Sequence, residues 1–204
     1  MTNIKNILFD FGGVFLNIDY ALTEKAFLAL GVKNFAALYN QHKASDLFEQ
    51  LETGKLTPQE FYDAFRNIAG IALSNVQIQT AWNAMLLNLP TERIEWLQKI
   101  NKQYKVFLYS NTNKIHYDCF IHTANKACSN KDFNSLFIKT YYSHICGFRK
   151  PYANSYTNIL QEQQLNPNET LFIDDTLSNI VGAKEAGLQV LHLQTPQTIV
   201  DIGL

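Results

Sequence analysis

Two short apolar runs that end on acids constrain the fold of this chain most: Ile7-Leu8-Phe9 followed by Asp10, and Leu171-Phe172-Ile173 followed by Asp174-Asp175. Each is too short for an ordinary helix, and Gly12-Gly13 stop the first, so both read as buried strands. Open α/β sheets place their ligands at the carboxyl ends of the strands, which is where these acids fall. A carboxylate there serves as nucleophile or metal ligand, and the glycines let the following N–H groups approach an anion. Turn chemistry alone also favours Asp and Gly after a strand, so the first stretch by itself leaves both readings open.

Between the runs the pattern changes twice. Over residues 19–90 the spacing is helical. Leu22, Ala26, Ala29 and Leu30 share one face before Gly31, Phe35, Leu38 and Tyr39 suggest a second helix, and Leu47, Phe48 and Leu51 a third that ends at Gly54. Thr57-Pro58-Gln59-Glu60 opens a fourth helix with an N-cap, a proline at the first position and an acid at the third, and Val76–Leu87 reads as a fifth. After Pro90 strands and helices alternate: a helix over 91–101, a strand over 105–110, a third strand over 137–143, a helix over 155–164, the strand before Asp174, a helix over 179–186 and a last strand over 190–193. Residues 113–137, polar and aromatic-rich, carry no clear period. The alternation predicts an α/β fold, a three-layer Rossmann-like parallel sheet (1–16 and 91–204) with an all-helical cap (17–90) inserted after the first strand.

Composition narrows the partners. Seventeen Lys+Arg against eighteen Asp+Glu give a formal charge of −1, which offers nucleic acid no broad basic surface. No apolar run reaches membrane-spanning length, and no cleavable leader pattern opens the chain, so a soluble cytoplasmic protein is expected. Cys119, Cys128 and Cys146 lack the paired spacing of a zinc site or disulfide framework, and His116, His122 and His144 suit no helical ligand pair. Phe48, Phe61, Tyr62, Phe65 and Trp82 fall on the apolar faces of the insert.

In a parallel sheet Asp10, Ser110-Asn111-Thr112 and Asp174-Asp175 converge on one edge, with Lys150-Pro151 between the second and third. Three carboxylates so placed repel one another unless a cation neutralises them, and Mg2+ is the hard divalent ion that takes oxygen ligands together with substrate phosphate. Ser110, the neighbouring amides and Lys150 would then face an anionic group.

The four segments, in this order, resemble the four motifs of the haloacid dehalogenase-like hydrolase superfamily. Asp-Phe-Gly-Gly-Val, Ser-Asn-Thr-Asn, Arg-Lys-Pro and Asp-Asp-x-x-x-Asn are most similar to bacterial sugar phosphatases that act on α-D-glucose 1-phosphate. The resemblance implies a Mg2+-dependent phosphomonoesterase for a small phosphorylated metabolite. Asp10 would be the nucleophile that forms an aspartyl-phosphate, with Asp10, the Gly12 carbonyl and Asp175 binding the metal and Asp174 a further ligand or support. Phe11, Gly12, Ser110 and Asn111 would bind the phosphoryl group, Lys150 would neutralise it and orient Asp10, and Asn179 would support the acids.

Most phosphatases of the superfamily have a second acid two residues after the nucleophile, where this chain has Gly12. Dehalogenases lack that acid too, but also lack the metal, against which the Asp174-Asp175 pair argues. The glucose-1-phosphatase-like members likewise lack it. Without that proton donor, a leaving group of low basicity is expected, as in a sugar 1-phosphate. A metal-free dehalogenase and an inactive phosphosugar-binding protein are the rival expectations.

Overall fold

The computed structural model describes residues 3–40 and 43–204. In chain order the elements are β1 (Asn6–Phe9), α1 (Tyr20–Ala29), α2 (Phe35–Leu38), β2 (Tyr39–Asn40), β3 (Lys43–Ala44), α3 (Asp46–Glu52), α4 (Pro58–Ala69) and α5 (Asn75–Asn83). There follow α6 (Thr91–Ile100), β4 (Lys105–Ser110), α7 (Lys114–Ala127), β5 (Lys139–Tyr142), α8 (Ser143–Cys146), α9 (Ala153–Glu162), β6 (Thr170–Asp174), α10 (Leu177–Glu185) and β7 (Gln189–His192).

Five parallel strands form one sheet in the order β5-β4-β1-β6-β7, with β1 at its centre. Side chains alternate across it. Ile7, Phe9, Val106, Leu108, Leu171 and Ile173 join the core on one face, while Leu8, Phe107, Tyr109 and Phe172 join the core on the other. Both faces are buried, which is why these strands read as continuous apolar runs instead of alternating ones.

Helices α1 to α5 pack around their own core of Phe27, Phe35, Phe48, Phe61, Phe65 and Trp82. The Thr57–Glu60 capping box opens α4: Thr57 accepts from the Glu60 N–H and Glu60 accepts from the Thr57 N–H at 2.8 Å. The expectation of an all-helical insert needs one correction. Tyr39 is extended, not helical, and begins a two-residue antiparallel ladder with β3. Four residues of α2 are too few to hold a helix against that pairing. The fifth helix stops at Asn83, because Leu86 turns to bridge Ile18 in the antiparallel sense.

The unread stretch holds α7, whose buried face is Ile115, His116, Phe120 and Ala124. Ser143, expected at the end of a strand, instead begins α8; its hydroxyl donates to the Thr112 carbonyl at 2.8 Å and accepts from the Thr112 N–H at 2.9 Å.

Candidate active site

The sheet register builds the site. Phe9 pairs with Leu108 on one side and Ile173 on the other, so the strands end level, and Asp10, Ser110 and Asp174 share one edge. The Asp10 N–H donates to the Ile173 carbonyl at 2.9 Å, which holds Asp10 against β6. Asp10, Asp174 and Asp175 each bring one carboxylate oxygen within 4.8 Å of the others.

Lys150, 1% exposed, reaches into this cluster; its Nζ lies 2.6 Å from Asp10 Oδ1 and 2.6 Å from Asp174 Oδ2. Two contacts aim it. The Asn111 side chain clasps the Lys150 main chain, donating to its carbonyl and accepting from its N–H, both at 3.0 Å. Across the loop, Gly182 allows α10 to lie against Pro151 so closely that a Cβ there would sit 1.8 Å from the Pro151 oxygen. Both hydrogen-bonding ends of the Asn111 side chain are therefore engaged with Lys150. The clasp uses one of the two N–H groups of that amide, which leaves the other for the phosphate contact expected from the sequence.

Asp174, fully buried, accepts from Lys150, from the Asn179 amide nitrogen at both carboxylate oxygens (3.1 and 3.0 Å) and from the Thr176 N–H at 2.8 Å. Asp175 lies nearer solvent and accepts from the Thr176 hydroxyl at 3.3 Å. Its carboxylate fills the space a side chain at residue 13 would occupy, since a Cβ on Gly13, held at φ +72°, would meet Asp175 Oδ2 at 2.2 Å. Here glycine meets both a steric and a backbone requirement.

Burial, with the charges of Asp174 and Asp175 adding and Lys150 opposing, pushes the Asp10 carboxyl up to about 8. Burial and then Asp174 raise Asp175 to about 6. Lys150 stays charged despite burial because both acids hold it so. When all three carboxylates are ionised, they leave two negative charges against the one ammonium, the charge of one divalent cation. The donors are hard oxygens with no sulfur or imidazole among them, which fits Mg2+ rather than zinc.

A cavity of about 200 Å3 opens over this edge. Asp10, Gly12, Ser110, Asn111, Lys150 and Asp175 floor it; Phe11 contributes too, although its ring packs inward on Phe120 and Phe133 at 4.7 and 5.3 Å. Asn179 lines it as well. The roof comes from the helical insert: Tyr20, Tyr39, Glu52 and Met85. His116 from α7 and Arg149 beside the lysine complete the wall. These roof and wall residues escaped the sequence reading. For Glu52 a signal existed, since it follows Phe48 by four residues and so shares its inward face.

Acids and a lysine converging on the edge of a parallel sheet are the equipment of an enzyme that hydrolyses phosphoric monoesters, and this chain is of that class. Comparison with known proteins makes it specific. The haloacid dehalogenase-like hydrolase model matches residues 4–187, and the chain belongs to that family. It is 31% identical over 195 residues to the D-ribitol-5-phosphate phosphatase of Bacteroides thetaiotaomicron, covering 93% of this chain and 91% of that one. It is 28% identical to a sesquiterpene phosphatase of Aspergillus oryzae, covering 94% and 91% of the two chains. Among solved structures, a variant of a family enzyme from Bacteroides thetaiotaomicron, in complex with magnesium and inorganic phosphate, superposes with a TM-score of 0.91 at 32% identity, over 97% of this chain and 98% of that one. Among the described residues no helix is long and apolar enough to cross a membrane.

Proposed function

We propose that this enzyme is a Mg2+-dependent phosphomonoesterase for a small sugar-type phosphate, working through an aspartyl-phosphate on Asp10, with residues 17–90 as the cap that covers the site. The observation that carries it is the Lys150 ammonium shared by Asp10 and Asp174 with Asp175 alongside. Asp10, Asp175 and the Gly12 carbonyl would hold Mg2+, with Asp174 beneath them. The bound ion supplies positive charge to the phosphoryl oxygens.

The chain's own residues do the rest. Lys150 orients the Asp10 carboxylate toward phosphorus and offsets the phosphoryl charge, as Ser110 and the amides after Asp10 do by hydrogen bonding. The Asp10 oxygen attacks phosphorus and the bond from phosphorus to the ester oxygen breaks; the departing alkoxide takes its proton from water. Water then attacks the same phosphorus, releasing phosphate and restoring Asp10. The insert over the cavity limits water during the first step. Asn179 and Asn111 are positioning residues, acting through Asp174 and Lys150.

A sugar 1-phosphate is favoured by Gly12, which has no proton to give. Ribitol 5-phosphate, the ester in the name of one relative, has a primary alkoxide leaving group instead. The substrate class common to both is a phosphorylated sugar or polyol. A screen of phosphorylated metabolites with and without Mg2+ tests the proposal: Mg2+-dependent phosphate release from sugar or polyol phosphates is expected. Turnover unchanged by exhaustive chelation would overturn it.

A further inference from the structure

Beside the acid edge, the wall of the cavity carries a buried ion pair without hydrogen-bond alignment and an imidazole nitrogen without a partner. Glu52 from α3 is 4% exposed and accepts a hydrogen bond from the Tyr39 hydroxyl, at 3.3 Å to Oε1. Its Oε2 stands 3.0 Å from Arg149 Nε, an ion-pair distance, yet both atoms lack a hydrogen-bond partner in aligned geometry. His116, 6% exposed, stacks on Trp82 with ring centroids 4.5 Å apart, and its Nδ1 lies 2.8 Å from Asn83 Oδ1. That contact puts the proton on Nδ1 and the lone pair on Nε2, which is buried without a partner. Tyr39 and Glu52 come from the insert and Arg149 and His116 from the sheet domain, so the group exists only where the two halves meet.

Buried polar atoms without partners are rare, and each calls for an explanation. His116 Nε2 is an open acceptor, and beside it Glu52 Oε2 and Arg149 Nε, paired by charge without hydrogen-bond alignment, present a further acceptor and a donor. An ammonium could satisfy only the acceptors and a carboxylate only the donor. A hydroxyl both gives and takes a hydrogen bond, so a chain or ring of neighbouring hydroxyls matches the whole set.

Resting on the phosphomonoesterase reading above, we propose that Tyr39, Glu52, His116 and Arg149 form a hydroxyl-recognition subsite that selects phosphate esters with a polyhydroxylated leaving group. An apolar leaving group would cover the same atoms without pairing them, and a site built to bond a hydroxyl discriminates strongly against an analogue that lacks it. The subsite joins insert to core, so hydroxyl binding also draws the roof onto the reacting edge.

The test compares two esters of equal carbon number, ribitol 5-phosphate and n-pentyl phosphate, by kcat/KM with Mg2+ present. The wild type is expected to prefer the pentitol ester by at least about 100-fold. Glu52→Gln, nearly isosteric, and His116→Phe, which keeps the stacking on Trp82, should each shrink that preference by about tenfold. A purely structural role would lower both esters equally and leave the ratio alone. A wild-type ratio near one, or a ratio unchanged in both variants, overturns the subsite while hydrolysis of both esters keeps the phosphatase reading. Absence of hydrolysis of either ester and of p-nitrophenyl phosphate overturns both.

Discussion

A Cβ on Gly182 would lie 1.8 Å from the carbonyl oxygen of Pro151. This close approach seats the Lys150 loop against α10 and so sets the reach of the lysine. Mid-helix glycine ordinarily costs about 1 kcal/mol relative to alanine, so Gly182→Ala would stabilise an unconstrained helix. Here the overlap is with main chain, which cannot rotate away. Overpacking of about 1–3 kcal/mol should exceed the helix gain. The variant is expected to have a lower urea midpoint and at least about tenfold lower kcat, a barrier change of about 1.4 kcal/mol. A more stable, fully active variant would contradict the role given to this contact.

Lys150→Met removes the only cation paired with two buried acids among the described residues. Breaking a buried pair by deleting one partner costs about 3–5 kcal/mol. Chemical denaturation without metal should register a loss of that order, and millimolar Mg2+ should recover part of it, because ion binding to the native acids shifts the equilibrium by mass action. A loss under about 1 kcal/mol would mean that Asp10 and Asp174 do not depend on the lysine charge.

The strand ends were legible because each is a local signal: a buried apolar run, then acids or Ser-Asn. What escaped was less local. The buried face of α7 includes His116 between Ile115 and Phe120, and a polar residue there breaks the apolar period by which a helix is recognised. Glu52 and Arg149 look like surface charges in sequence, and only the docking of α3 on the loop after α8 makes them partners. Gly54 belongs to that docking, since a Cβ there would meet the His144 carbonyl oxygen at 2.2 Å. Such a contact between residues ninety apart leaves no trace in local spacing.

His116 makes acid stability measurable. Burial lowers its pKa from 6.5 to about 3. Between those values the unfolded chain holds a proton that the native state does not, so native stability falls as pH falls. The full contribution is present above 6.5 and is lost down to about 3, at about 1.4 kcal/mol per pH unit. Denaturation of wild type and His116→Gln across this window should give a steeper decline for wild type. Parallel curves would place the imidazole in contact with water.

Gly12 sets the leaving-group dependence. General-acid help is commonly worth about 10²–10⁴-fold, and glycine supplies none. Rates on a series of aryl and alkyl phosphates should fall steeply as leaving-group basicity rises. A Cβ at this position would meet Ile18 Cδ1 at 2.5 Å, so an acid can enter only if that side chain moves. The double variant Gly12→Asp with Ile18→Ala is therefore expected to flatten the series. A flat series in the wild type, with chemistry rate-limiting, would reveal a proton donor elsewhere.

The central claim is that Asp10 takes the phosphoryl group. Acid quenching during turnover, followed by peptide mapping with mass spectrometry, tests it most directly. The account predicts one phosphoryl group on the peptide that contains Asp10 and none in Asp10→Asn, whose turnover is lost. A phosphoryl group on another side chain, or Asp10→Asn turning over within about tenfold of wild type, would contradict it.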